Sequence, residues 1–194
     1  EGPNMEELHE LRERMSRQRP VEWEAFPDIG LYMDQVVSYL PRQLIHYGES
    51  ELLTSAMVNN YIKDGLLPRA EGKRYSRVHL GYLTAICVLK QVLSVKETKG
   101  LLAIGSQRKS TPEELYAYFC RQLDAALTET AESLPEDGEE EDLPRLALTL
   151  ALRSYADRLA CQRVLDIMAR RAGGEEHPGK RKEKAGRSTR NSGE

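Results

Sequence analysis

Leu53-Thr54-Ser55-Ala56-Met57-Val58-Asn59-Asn60-Tyr61-Ile62-Lys63-Asp64-Gly65-Leu66-Leu67-Pro68 is the stretch that decides the fold of this chain. Thr54 stands at an N-cap position, where a hydroxyl accepts from a backbone N–H of the first helical turn. Gly65 stands at the other end, where the left-handed residue after a helix is usually glycine. Pro68 then prevents any continuation. The spacing predicts a short helix from Thr54 to Asp64. Met57, Val58, Tyr61 and Ile62 fall on one side of it, and Ser55, Ala56, Asn59, Asn60 and Lys63 on the other.

Downstream, Arg69 to Tyr75 is short and basic and holds Gly72, which suits a tight β-hairpin or a wing loop. Ser76 caps an apolar helix expected to reach about Leu93, with Val78, Leu80, Leu83, Ile86, Leu89 and Val92 facing inward. Ser94-Val95-Lys96-Glu97 is a capping box that opens another helix to about Ile104, closed by Gly105. Upstream, Leu31 to His46 repeats apolar residues at helical steps around Pro41, where a kink or break is expected. Trp23 to Gly30 is an irregular connection whose Trp23 and Phe26 plug the core. Met5 to Arg19 is a charged, mildly amphipathic helix ending before Pro20.

The second half reads as two helices joined by an acidic loop and followed by a tail. Thr111-Pro112-Glu113-Glu114 combines a capping box with proline at the first helical position and starts a helix to about Ser133. An acidic loop holds five carboxylates in the six positions 136–141. A last helix runs from about Leu143 to Ala172, with Leu146, Leu150, Tyr155, Leu159, Val164, Ile167 and Met168 as its apolar stripe. Gly173-Gly174 ends it, and the Lys-, Arg-, Gly- and Ser-rich tail that follows is expected to be disordered. The fold class expected is all-α with one small hairpin.

Charge is unevenly divided along the 194 residues. The whole carries −3, but residues 31–110 hold 11 bases against 6 acids, whereas residues 111–172 hold 7 against 13. A basic block between acidic flanks is compatible with phosphate contact. The three cysteines, Cys87, Cys120 and Cys161, are widely spaced and odd in number, which argues against a disulfide framework or structural zinc site. The Glu-rich loop lacks the alternating ligands of a calcium site. No Gly-rich phosphate loop, His-Glu-x-x-His or Gly-x-Ser-x-Gly motif occurs, so no enzyme activity, cofactor or metal is expected. With no apolar run approaching a membrane span and no apolar segment near the first residues, the expectation is a cytoplasmic protein without membrane contact.

A helix that enters the major groove packs one face on its domain and turns small or amide-bearing side chains to the base edges. Ser55, Asn59 and Asn60 have that chemistry, and Asn can bridge the N6 and N7 edge of adenine. Lys63, Arg69, Lys73 and Arg74 would then sit on phosphates and fix the register. The order of parts resembles MerR-type transcription regulators. Leu53 to Pro68 is similar to their second helix, Gly72-Lys73-Arg74-Tyr75-Ser76 to their wing exit, and Ser94-Val95-Lys96-Glu97-Thr98 to a following helix start. Over about Trp23 to Ile104 the chain is also similar to an uncharacterised bacterial family catalogued only as a domain of unknown function. The residues that carry this second likeness are Leu31-Tyr32-Met33-Asp34-Gln35-Val36, the Asn-Asn-Tyr run and Arg74-Tyr75-Ser76-Arg77.

Together these resemblances imply a MerR-like winged helix-turn-helix with a small β-hairpin wing over 23–106. Before it stands a short helical extension over 1–22. A C-terminal helical region over 107–172 would dimerise or fold into a hairpin, and a basic tail covers 173–194. The implied partner is double-stranded DNA, bound by a homodimer joined through the C-terminal helices, with any small-molecule effector unspecified. Three departures stand out: the first helix is longer, contains Pro41 and is followed by a loop from Tyr47 to Leu52; the wing is several residues short; and Ala56 and Asn59 occupy positions where MerR recognition helices carry Arg. The alternative is a protein-interaction module of the same shape without DNA contact.

Overall fold

The computed structural model describes residues 6–46, 53–107, 110–136 and 140–174. Seven α-helices make up the architecture: α1 Glu6–Arg17, α2 Met33–Tyr39, α3 Ser55–Lys63, α4 Arg77–Leu89, α5 Val95–Gln107, α6 Pro112–Ser133 and α7 Leu143–Gly174. Short 3-10 turns occupy Trp23–Ala25, Leu40–Gln43 and Glu140–Asp142. Among the described residues there is no extended strand. The expected loop Tyr47 to Leu52, the middle of the acidic loop at 137–139 and the tail beyond 174 lie outside the described residues.

Local capping chemistry places most helix starts. The Thr54 hydroxyl accepts from the backbone N–H of Met57 at 3.2 Å. Ser94 and Glu97 exchange the two bonds of a capping box at 2.7 and 3.2 Å, and so do Thr111 and Glu114 at 2.8 and 3.2 Å. Each satisfies amides that the helix itself leaves orphaned. Pro41 acts where expected: α2 gives way at Leu40 to a 3-10 turn.

The core gathers around α4, which buries eight of its residues, His79 to Cys87 apart from Tyr82. Leu80, Leu83 and Ile86 are fully enclosed by Val36 and Leu40 from the α2 region, Val58 and Tyr61 from α3, and Tyr116 from α6. Burying each such aliphatic side chain contributes about 1.5–3 kcal/mol, which outweighs the weak propensity of the seven-residue α2. Phe26 is buried and Trp23 half-buried beside it; their rings meet edge to face at 6.2 Å and both lean on Tyr116. Gly81 permits this approach, because a Cβ there would stand 2.9 Å from the Trp23 ring. The Tyr116 hydroxyl donates to the carbonyl of Val21 at 2.6 Å, and burial pushes its pKa well above the ordinary tyrosine value.

Three expectations are corrected. α4 ends at Leu89 rather than Leu93, because Lys90 to Leu93 folds into successive turns. Leu93 goes inward in consequence, and Val92 is left exposed. α5 continues through Gly105 to Gln107, and α7 includes Gly173 and Gly174. Tyr155, Leu159 and Val164, members of the apolar stripe expected on α7, are all more than half exposed.

α1 lies along α6. Arg19 bridges Asp124 at 2.7 Å and donates to the Thr128 hydroxyl, while Arg12 reaches the Ala131 carbonyl and Glu136. Among the described residues, α7 is tied to the rest by Gln162 to Glu97 at 3.3 Å and Arg153 to Glu129 at 3.8 Å. No described helix is long and apolar enough to cross a membrane.

Candidate nucleic-acid interface

α3 is divided cleanly. Val58 and Tyr61 are buried and Met57 and Ile62 half-buried, whereas Ser55, Ala56, Asn59, Asn60 and Lys63 are exposed. At 100° per residue the five exposed positions span an arc of roughly 140° with no apolar residue larger than Ala56. The backbone then reverses. Gly65 takes φ +74°, and the amides of Leu66 and Leu67 both donate to the Tyr61 carbonyl, at 2.8 and 3.2 Å. This is the left-handed closure that the Gly-Leu-Leu sequence predicts, and it drives Leu66 and Leu67 into the core.

Arg69 follows, exposed. Its carbonyl is held by Nε2 of the buried His79 at 3.2 Å, while His79 Nδ1 accepts from the backbone N–H of Ser76 at 2.9 Å. That pattern requires the neutral ring with its proton on Nε2, so one imidazole fixes both ends of the basic loop.

Between those ends the chain makes a two-residue turn. Glu71 and Arg74 exchange backbone hydrogen bonds at 3.1 and 2.9 Å, around Gly72 at φ +54° and Lys73 at φ +64°. Positive φ at both central positions marks the tight turn that joins antiparallel chains. It holds Lys73 and Arg74 outward, both exposed. The pairing extends no further. The next residue, Tyr75, pairs instead with Leu31, through backbone bonds of 2.9 and 2.8 Å. What the sequence suggested as a hairpin arm is thus joined to a segment 44 positions upstream.

All seven sequence-predicted contacts are exposed: Ser55, Asn59, Asn60 and Lys63 together on the α3 arc, Arg69 on the loop, Lys73 and Arg74 on the turn. Arg74 is engaged: it stacks on the Tyr32 ring, 4.9 Å from the centroid, and donates to the Tyr32 hydroxyl at 3.1 Å. Two residues escaped the sequence reading. Lys99, from α5, donates to the Asp64 carbonyl at 2.7 Å and adds a cation at the C-terminal end of α3. Tyr32 sets the direction of Arg74. No local pattern signals either contact, because the partners are 35 and 42 positions apart. From Leu53 to Ser76 the chain carries four cations against Asp64 and Glu71, a net of +2. Among the described residues no cluster of three or more His, Cys, Asp or Glu could hold a metal ion.

The model of a family described as "Domain of unknown function (DUF1836)" matches residues 21–119, just over half of the chain. The matched span begins at Val21 and ends just beyond Tyr116, the pair joined by the buried hydroxyl. It therefore takes in α2 to α5, the basic turn and the first part of α6, and excludes α1 and α7. No curated protein and no solved structure matches the chain.

Proposed function

We propose that this chain, which belongs to the DUF1836 family of domains of unknown function, is a DNA-binding regulator of MerR-like winged helix-turn-helix type. α3 would enter the major groove and the Gly72-Lys73 turn would serve as a minimal wing on the flanking backbone. The observation that carries this reading is the exposed α3 arc, which presents two amides, a hydroxyl and one cation beside a rigidly held basic turn. Asn59 and Asn60 would read base edges, and Ser55 would allow close approach. Lys63, Arg69, Lys73 and Arg74 would neutralise phosphates. With only these cations a single copy grips weakly, so binding as a homodimer on a pseudo-palindromic site forms part of the proposal.

The test is electrophoretic retardation at low salt with fragments from the source genome, including the region upstream of the chain's own gene. Retardation that fades as salt rises is expected, with Asn59→Ala altering base preference and Lys73→Ala weakening all fragments alike. Absence of retardation for every fragment at low salt would sink the proposal. The second reading is a protein-interaction module. It is favoured by Asp64 and Glu71 interrupting the basic surface and by the apolar residues left exposed on α7.

A further inference from the structure

α7 is 32 residues long, and among the described residues its polar ties to the rest of the chain are Gln162 to Glu97 and Arg153 to Glu129. Leu148, Leu152, Tyr155 and Leu159 recur along it at steps of four, three and four, and each is more than half exposed. At 100° per residue these four fall within about 60° of one another, forming a narrow apolar ridge. Such a ridge on a helix with no covering element marks a contact surface.

A matching groove lies elsewhere on the molecule. Between α4, α5 and the first half of α6 is an open cavity of about 770 Å³, walled by Tyr82, Leu89, Leu101, Leu115, Tyr118 and Phe119 among others. Its α6 wall runs from Pro112 to Gln122, roughly 15 Å at 1.5 Å per residue. The ridge from Leu148 to Leu159 runs roughly 16 Å by the same measure. The two lengths agree.

Charge decides the occupant. The ridge segment from Leu148 to Leu159 carries Arg153, Arg158 and Asp157, a net of +1, whereas the α6 wall from Pro112 to Gln122 carries Glu113, Glu114 and Arg121, a net of −1; over the whole helices the balances are +4 and −4. Pairing α7 with another α7 sets like charges side by side; pairing it with α6 sets opposite ones together. The chain's own α7 is already tied by Arg153 to Glu129 and by Gln162 to Glu97, with its ridge in solvent. We infer that the ridge of α7 docks into the α4–α5–α6 groove of a second copy, reciprocally, so that two copies close into a two-fold dimer. This is helix-in-groove recognition with anchors at Leu148, Leu152, Tyr155 and Leu159, made twice by symmetry. It uses none of the residues assigned to DNA and deepens the homodimer included in the proposed function; light scattering on the free protein tests the docking separately from DNA retardation.

The experiment is subunit complementation, followed by light scattering on the full chain after size exclusion. Leu152→Asp spoils the ridge and Tyr118→Asp the groove; both sites are exposed, and unchanged far-UV dichroism verifies the fold. Wild type is expected to be dimeric, and each variant monomeric alone. An equal mixture of the two variants is expected to regain a dimer, because one ridge and one groove remain intact in the mixed pair. Should Tyr118→Asp unfold, Gln122→Arg, which sets a cation against the arginine-flanked helix, takes its place. A wild type that stays monomeric at every concentration overturns the inference. So does a groove variant that remains dimeric, which would assign the contact to α7 against α7, or a mixture that yields no dimer.

Discussion

The guanidinium of Arg74 lies 4.9 Å from the ring centroid of Tyr32 and donates to that residue's hydroxyl at 3.1 Å. The contact leans the basic turn towards the start of α2 and orders a cation that would otherwise sample many rotamers. An exposed cation–π contact is worth about 0.5–1 kcal/mol. Tyr32→Ala is expected to lower the urea unfolding free energy by about that amount, and Tyr32→Phe by less, since the ring survives.

Lys73, one residue earlier, has no such neighbour among the described residues. Under the DNA proposal, Lys73→Ala is expected to reduce the slope of log affinity against log salt by about one unit, with unchanged ranking of sequences. Tyr32→Phe leaves that slope as it is. A Lys73→Ala variant with the wild-type slope removes Lys73 from the phosphate contacts.

Thr98 presents a simpler case. Its hydroxyl is buried in the first turns of α5 without a hydrogen-bond partner among the described residues. A desolvated, unmatched hydroxyl costs about 1–3 kcal/mol, and Val has nearly the same shape and helix propensity. Thr98→Val is expected to raise stability by about 1 kcal/mol, read as a higher urea midpoint at constant slope.

Gly81→Ala is expected to do the reverse. Alanine favours an α-helix over glycine by about 1 kcal/mol, but the added Cβ would sit 2.9 Å from the Trp23 ring and 3.4 Å from Tyr116. Overpacking a filled site costs about 1–3 kcal/mol. The Trp23 ring is held by Phe26 and Tyr116, so the clash prevails. A net loss of about 1 kcal/mol and altered tryptophan fluorescence are the readouts.

Cys87 and Cys161 should separate in thiol labelling. Cys161 is exposed; Cys87 is buried beneath α3, and burial pushes its thiol up to about 11 from 9.0. The nucleophile is the thiolate, so Cys161 reacts in the native protein while Cys87 reacts only on unfolding. A thiol whose folded pKa is raised contributes stability that is full below its unfolded pKa. That contribution is lost as pH rises through the window from 9 towards 11. Cys87→Ala should flatten the alkaline decline of the unfolding midpoint relative to wild type.

Much of this architecture is written in local chemistry. Thr54, Ser94 and Thr111 announce helix starts because a cap needs only three or four consecutive residues. The two faces of α3 follow from its periodicity, and the break at Pro41 from the ring of proline. Other features depend on partners far along the chain. Leu93 rather than Val92 turns inward because α4 ends one turn early. Tyr75 pairs with Leu31 and not across its own turn, since the seven residues between Pro68 and Ser76 are too few for paired strands once Tyr75 is buried. For α7, an apolar periodicity indicates that a face wants covering and is silent on whether the same chain covers it. The candidate site was legible as a set of exposed residues; the hold of Tyr32 on Arg74 and of Lys99 on α3 was not.

The pairing of Leu31 with Tyr75 has a kinetic consequence. Two backbone hydrogen bonds clasp together residues 44 positions apart, and α2, α3 and the basic turn are all threaded between them. Closing so long a loop carries an entropic cost that must be met before the enclosed contacts can reward it. The docking of α3 against its neighbours is therefore expected to be coupled to the shutting of the clasp. In hydrogen exchange the amides of Leu31 and Tyr75 are expected to open together, in one event that also releases the amides of Leu66 and Leu67. The surface that would meet a partner and the latch that assembles it are then a single cooperative unit.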